Sequence, residues 1–341
     1  MQLLKNNLMI PFIGKISEDV FKWSMGDSHA LNLITIPFNN ILKILNRTIM
    51  NRINNNEKVI YITNEEAEDI SLTEGLGINI RDLLHLGYCE NKGEQPPLVI
   101  TNHENSVFIT EKFDLVIYDN INCFSDYSSI EILDIMGRLC LDTGKLIACS
   151  FESVFKNSMN ISFPIMENGR PFVEPRNVLT RIDLNNNIPS VIFEFLKWSL
   201  STQRKVIIYA PEYKKTRRIF EYILTFKEEF NKDVLIYLKE DMDLNILKKF
   251  ISQSSGVLIT DCLNRITSSI KDLDVMVFFA DDKTFDYKKL LYICGKVGRS
   301  EFLTSGEVIF VANSETDDME KVKSLARNIN KEAWEIGLLK L

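Results

Sequence analysis

Apolar positions along the chain switch between two periods. KVIYIT at 58–63, LVIYDN at 115–120 and KLIACS at 145–150 are short, β-branched runs of the kind buried on both faces of a sheet. ILKILNRTIMNRI precedes the first, and SSIEILDIMGRLC lies between the second and third; both have the spacing of amphipathic helices. Asp142, Thr143 and Gly144, just after Cys140, read as a helix stop and turn. Strands alternating with helices predict a parallel sheet covered on both faces.

The rhythm breaks at MENGRPFVEPRN (166–177), where two prolines and a glycine interrupt any regular element. It then resumes with strands KVIIYA (205–210), VLIYL (234–238), GVLIT (256–260), VMVFFA (275–280) and EVIFV (307–311). Helices are expected around 193–200, over 216–226, ending near Phe250, over 287–297 and over about 315–329. The fold class expected from periodicity is α/β, with two parallel-sheet domains in tandem. The boundaries are an N-terminal extension at 1–25, a first domain at 26–160, a connection at 161–178 and a second domain at 179–341.

A chain of 341 residues with 45% hydrophobic and 26% charged residues suits two globular domains. The net charge of −7 argues against a generally basic surface for nucleic acid or membrane, but leaves room for a local basic patch. Lys214, Lys215, Arg217 and Arg218 form one such cluster, and Asp317, Asp318 and Glu320 an acidic one. The opening twenty residues lack the pattern of a secretory leader, and no apolar run approaches the roughly 20 residues of a membrane span. A cytoplasmic location is expected. The six cysteines, at 89, 123, 140, 149, 262 and 294, contain no C-x-x-C pair, and with three histidines they give no zinc spacing; they read as small core residues.

Ligands of open parallel sheets sit beyond the carboxyl ends of strands. Asp119 stands there after LVIY, followed by Asn120. The aspartate suits a magnesium ligand of a phosphoryl-transfer site, and the pair equally suits a turn. Asn120 has no carboxylate with which to act as a base. No G-x-x-x-x-G-K-[ST] loop occurs. Where one would stand, before the first helix, the chain reads LITIPFNNILKIL. Pro37 removes a donor amide, Phe38 adds bulk, Asn39 and Asn40 bring no charge, and Lys43 falls inside the following helix. GKVGRS (295–300) either projects Lys296 and Arg299 as cations or caps a helix with glycine and basic residues. Lys214, Lys215 and Arg218 either contact phosphate or form a solvated face. His29, His85 and His103 are not accompanied by a nucleophile elbow, and His85 in LLHLGY reads as a core or turn residue.

In order, these segments resemble the ComFA competence proteins, DEAD-like superfamily 2 helicases of Gram-positive DNA uptake. ENGRPFVEPR resembles the segment after that family's first domain. LITDCLNRITSSIKDLDVMVFFADD resembles its T-T-T-I-L-E-R-G-V-T-F stretch and the strand after it, and LLYICGKVGRSEFLTSGEVIF its Q-I-A-G-R-V-G-R-S…G-E-V-I-F. The resemblance implies two RecA-like domains, with Asp119 and Arg299 as remnants of the motor site. It also implies Asn39, Asn40 and Lys296 at degenerate nucleotide-binding positions, and Arg265 beside Lys214, Lys215 and Arg218 as nucleic-acid contacts. The departures fall on the chemistry. The G-A-G-K-T loop is lost at 36–41, D-E becomes Asp119–Asn120, T-A-T-P corresponds to ACSFES (148–153), and Asn264 and Ile266 flank the retained Arg265. The four-cysteine zinc module is also missing.

The expected function is therefore an ATPase-deficient pseudo-helicase that serves as a nucleic-acid or protein scaffold in DNA uptake or processing, needing no cofactor. Its expected partners are single-stranded DNA and a ComFC-like protein. One alternative is a weak ATP- and magnesium-dependent single-stranded-DNA translocase with an altered loop. A minor one, suggested by FDLVIYDN and LDTGKLIACS, is a protein resembling S-adenosylmethionine methyltransferases.

Overall fold

Asp142, Thr143 and Gly144 lie inside a strand. The strand starts at Cys140, directly where the helix ends, and runs to Ser150. In the computed structural model Phe113 pairs with Cys140 and Leu115 with Lys145, so residues 141–144 are accommodated by a bulge. Residues 2–63, 96–119, 127–241, 243–263, 266, 270–299 and 306–339 are described, with side chains from Met9 onward.

The described residues divide into two units, one ending at Gly169 and the other starting at Arg170. In the first, β1 (Ala30–Thr35), β2 (Val59–Ile62), β3 (Leu98–Thr101), β4 (Phe113–Tyr118), β5 (Cys140–Ser150) and β6 (Met159–Phe163) form one sheet. Its order is β3-β2-β4-β5-β1-β6, with parallel pairing throughout. Leu31, Leu33, Ile60, Val116, Ile117 and Ile147 are buried in it, each of a type that contributes about 1.5–3 kcal/mol on full burial. The N-terminal helix α1 (Gln2–Met25) packs on α2 (Leu42–Asn54) and belongs to this unit. Helix α3 (His103–Ser106) is short. Helix α4 (Ser129–Leu139) starts at a capping box in which Ser128 and Glu131 bond each other's backbone amides.

The second unit repeats the plan. Strands β7 (Arg176–Leu179), β8 (Lys205–Tyr209), β9 (Val234–Tyr237), β10 (Gly256–Thr260), β11 (Leu273–Phe278) and β12 (Val308–Ala312) form a parallel sheet of order β7-β12-β11-β8-β10-β9. Its helices are α5 (Ser190–Ser201), α6 (Tyr213–Leu224), α7 (Lys227–Phe230), α8 (Leu244–Ser252), α9 (Tyr287–Gly295) and α10 (Asp317–Glu335). The acidic cluster Asp317, Asp318 and Glu320 forms the first turn of α10, behind the Thr316 cap, where negative charge suits the helix dipole. The same helix runs six residues beyond the expected Ile329.

The expected connection at 161–178 is shorter than the sequence suggested. Its first residues complete β6, and Arg176 onward pairs with Ile309 and its neighbours as β7. Among the described residues no helix is long and apolar enough to cross a membrane. Two separate six-stranded sheets leave the methyltransferase reading without support, since that reading used only the first half of the chain.

Candidate functional site

The carboxyl edge of the first sheet gathers the residues singled out by the sequence. β5 lies between β4 and β1, so the ends of β4 and β1 are two strand spacings apart, about 10 Å. Asp119 follows β4 there and is buried. The Tyr61 hydroxyl, from β2, donates to Asp119 Oδ2 at 2.6 Å, and the Asp119 amide donates to the Ile62 carbonyl. Burial, and then the Asp119 charge, push the Cys149 thiol well up, so this β5 residue remains protonated and apolar in behaviour. Asn120 lies outside the described residues.

The loop from Ile36 to Ile41 joins β1 to α2. Phe38 adopts a left-handed backbone, φ 64°, a conformation that glycine adopts without strain and phenylalanine does not. Asn39 is buried and turns inward: its Nδ2 donates to the Ile165 carbonyl at 2.8 Å and lies 3.4 Å from Thr35 Oγ1. The Asn40 amide donates to Glu167 Oε1 at 2.5 Å, while Asn40 Oδ1 accepts from the Leu42 amide at 3.1 Å. Lys43, in the first turn of α2, points its ammonium to Glu167 Oε2 at 3.5 Å. Asn39, Asn40 and Lys43 thus all address the segment 165–167, which the sequence reading had not connected to this loop.

Beside this edge, Asn32 in the middle of β1 is fully buried and fixes the chain that leaves β5. Its Nδ2 reaches Ser153 Oγ, the Phe155 carbonyl and Asn160 Oδ1, and its Oδ1 accepts from the Val154 and Phe155 amides. His103 is also buried, with Nδ1 2.6 Å from the Tyr118 hydroxyl and its ring stacked on Tyr127 at 3.5 Å. Burial lowers the His103 pKa, against the raising charges of Glu131 and Glu104, and it raises that of Tyr118. Both groups are therefore neutral, and the imidazole tautomer decides which of them donates the shared proton.

In the second unit the structure separates the expected cations. Lys296 is fully enclosed; its ammonium donates to the Ile266 carbonyl at 2.5 Å and lies 4.6 Å from the Tyr292 ring centre. It is a core cation here, not a surface one as expected for phosphate contact. Arg299 follows Gly298, whose φ is 81°, and its Nε donates to the Gly295 carbonyl at 2.6 Å. That bond satisfies the last turn of α9, the helix-capping role weighed for GKVGRS. Lys215 pairs with Asp282 at 2.7 Å and lies over the Phe279 ring. Burial pushes the Asp282 carboxyl up, but hydrogen bonds from Lys215 and Thr284 and the Lys215 charge outweigh it and hold it at about 2. Lys214, Arg217 and Arg218 are exposed in the first turns of α6, which has no acidic residue in its first turn. Arg265 and His85 lie outside the described residues, as do Cys89 and Cys123; the other four cysteines are buried free thiols.

No protein-family profile matches the chain. It is 22% identical over 265 residues to the competence protein ComFA of Streptococcus pneumoniae, covering 74% of this chain and 60% of that protein. Against ComFA of Bacillus subtilis it is 19% identical over 263 residues, covering 73% and 56%. The chain therefore spans less than two thirds of the length of these relatives. Among solved structures, Saccharomyces cerevisiae Dbp5 bound to RNA and ADP BeF3 superposes with a TM-score of 0.56 at 11% identity, over 91% of this chain and 88% of that one. The DUF1998 helicase MrfA bound to DNA superposes with a TM-score of 0.52 at 14% identity, over 92% and 51%. At these identities the likeness is one of fold.

Proposed function

We propose that this chain, a ComFA-like protein built on the two-domain superfamily 2 helicase fold, is an ATPase-deficient scaffold that binds single-stranded nucleic acid or a DNA-processing partner. The observation that carries the reading is the β1–α2 loop. A phosphate loop works by turning several backbone amides and a lysine toward the anion. Here the loop residues face inward or toward a carboxylate of the same chain, and Pro37 has no amide to offer. With Asn120 in place of a carboxylate, both positioning and charge stabilisation are weakened. Each such group is worth on the order of a hundredfold to a thousandfold in rate.

Nucleic-acid binding is supported by the exposed cations Lys214, Arg217 and Arg218, which cluster in the first two turns of α6. The solved structures of like fold include ones bound to RNA and to DNA. Binding of that kind weakens steeply as salt rises. A partner resembling ComFC, suggested by the ComFA likeness, would make the same scaffold a protein dock.

The second reading is a weak ATP- and magnesium-dependent translocase. It draws on Asp119, buried at the end of β4 on the same sheet edge as the β1 loop. Calorimetric titration of the purified chain with magnesium ATP, with and without single-stranded DNA, separates the two. The scaffold reading expects no saturable nucleotide heat and a salt-sensitive oligonucleotide signal. Magnesium-dependent ATP turnover that disappears in Asp119→Ala would overturn it in favour of the translocase.

A further inference from the structure

Glu167 is 127 positions from Asn40 in sequence, yet its carboxylate lies against the amino end of α2. Helix α2 has no acidic residue in its first turn, and Ile41 at its cap position offers no side-chain bond. The partial positive charge of that end is met by an anion from elsewhere in the chain. Both oxygens are used: Oε1 accepts from the Asn40 amide and Oε2 faces the Lys43 ammonium.

The backbone that delivers Glu167 is itself fixed. Asn39 holds the Ile165 carbonyl, and the Gly169 amide closes a turn on the Met166 carbonyl, with Gly169 at φ 71°. Ile165 and Met166 are buried, while the Glu167 side chain remains 30% exposed at the surface of the unit. A buried anchor on each side of the contact and a solvent-accessible carboxylate between them describe a plug rather than a core ion pair.

We infer that the Glu167 carboxylate is a built-in stand-in for phosphate, and that the β1–α2 loop has been converted from an anion receptor into a latch for residues 165–167. The inference rests on the proposed loss of nucleotide binding and names what replaced it. A tethered carboxylate competes at a high effective concentration with any free anion. The intact chain therefore excludes phosphate by occupancy as well as by loop shape.

Chemical rescue tests this. Thermal unfolding of the wild type, Glu167→Ala and the milder Glu167→Gln is followed in inorganic phosphate and in chloride at matched ionic strength. Losing one charge-assisted bond should lower the Tm of the first unit by about 2–4 °C. Phosphate should return part of that shift, saturably, in Glu167→Ala but not in the wild type, and Lys43→Ala added to Glu167→Ala should reduce the return. Glu167→Gln, which keeps the shape without the charge, should fall between the two. Unchanged stability in both variants, or a loss that phosphate does not relieve, overturns the inference. Nucleotide binding by the wild type is a separate result: it would sink the scaffold reading even if phosphate rescued Glu167→Ala.

Discussion

Replacing Asn32 by alanine should destabilise the first unit by about 3 kcal/mol. The side chain has five polar contacts, but its two amide hydrogens can serve only two of the three acceptors around Nδ2 fully. With the two bonds accepted by Oδ1, four effective bonds remain. At a net 0.5–1.5 kcal/mol each they sum to about 2–6 kcal/mol. The Val154 and Phe155 amides are half-buried, so water reaches them in the variant and moves the loss toward the lower half of that range. The chain offers a clean reporter. Its three tryptophans are Trp23, buried in α1 of the first unit, and Trp198 and Trp334, both about half exposed in the second. In a Trp198→Phe, Trp334→Phe background, tryptophan fluorescence during urea unfolding follows the first unit alone. A loss below 1 kcal/mol at unchanged urea slope would show that solvent replaces the Asn32 bonds, and the network would then have no organising role.

Three further outcomes are expected. Asp274, fully buried, accepts from Arg204, Ser199 and the Glu307 amide, so Asp274→Ala should cost the second unit about 3–5 kcal/mol by calorimetry, whereas breaking the exposed Lys331–Glu335 pair should change little. Burial keeps His103 neutral, with a folded pKa below its ordinary 6.5; the unfolded chain therefore binds the extra proton first, and stability is full above pH 6.5 and falls as pH drops through that value toward the lowered one. His103→Gln should flatten that dependence in denaturation midpoints measured between pH 7.5 and 5, and a slope unchanged by the substitution would contradict the assignment. Phe38→Gly should be tolerated within about 1 kcal/mol, since relief of the left-handed strain offsets lost packing, while Phe38→Val should lose more than Phe38→Gly in the same urea assay.

The strands that could be read from sequence were those whose apolar runs are continuous. Val59–Ile62 and Gly256–Thr260 are buried at every position, and a run of that kind identifies itself. ALNLIT carries no clear strand signal, because Asn32 interrupts its apolar run and the interruption makes sense only once Ser153 and Asn160 are placed beside it. The turn expected at Asp142–Gly144 failed for a local reason: turn residues also suit a bulge, and only the pairing with Phe113 and Leu115 decides between them. Asp119 was legible because it ends a strand. Its partner Tyr61 was not, since two strands must first be set side by side. Glu167 carried no local signal at all. Lys296 misled because a lysine between glycines looks exposed, whereas the turn of α9 directs it into the core beneath Tyr292.

That sealed ammonium has a practical consequence. An amine without solvent exposure cannot meet an acylating reagent until the structure around it opens, so the modification rate of Lys296 measures how often that part of the second unit breathes. Lys214, on the outside of the same unit, would react at once and normalise the signal. Lys296 thus becomes, in this molecule, an internal clock for local opening, readable by mass spectrometry.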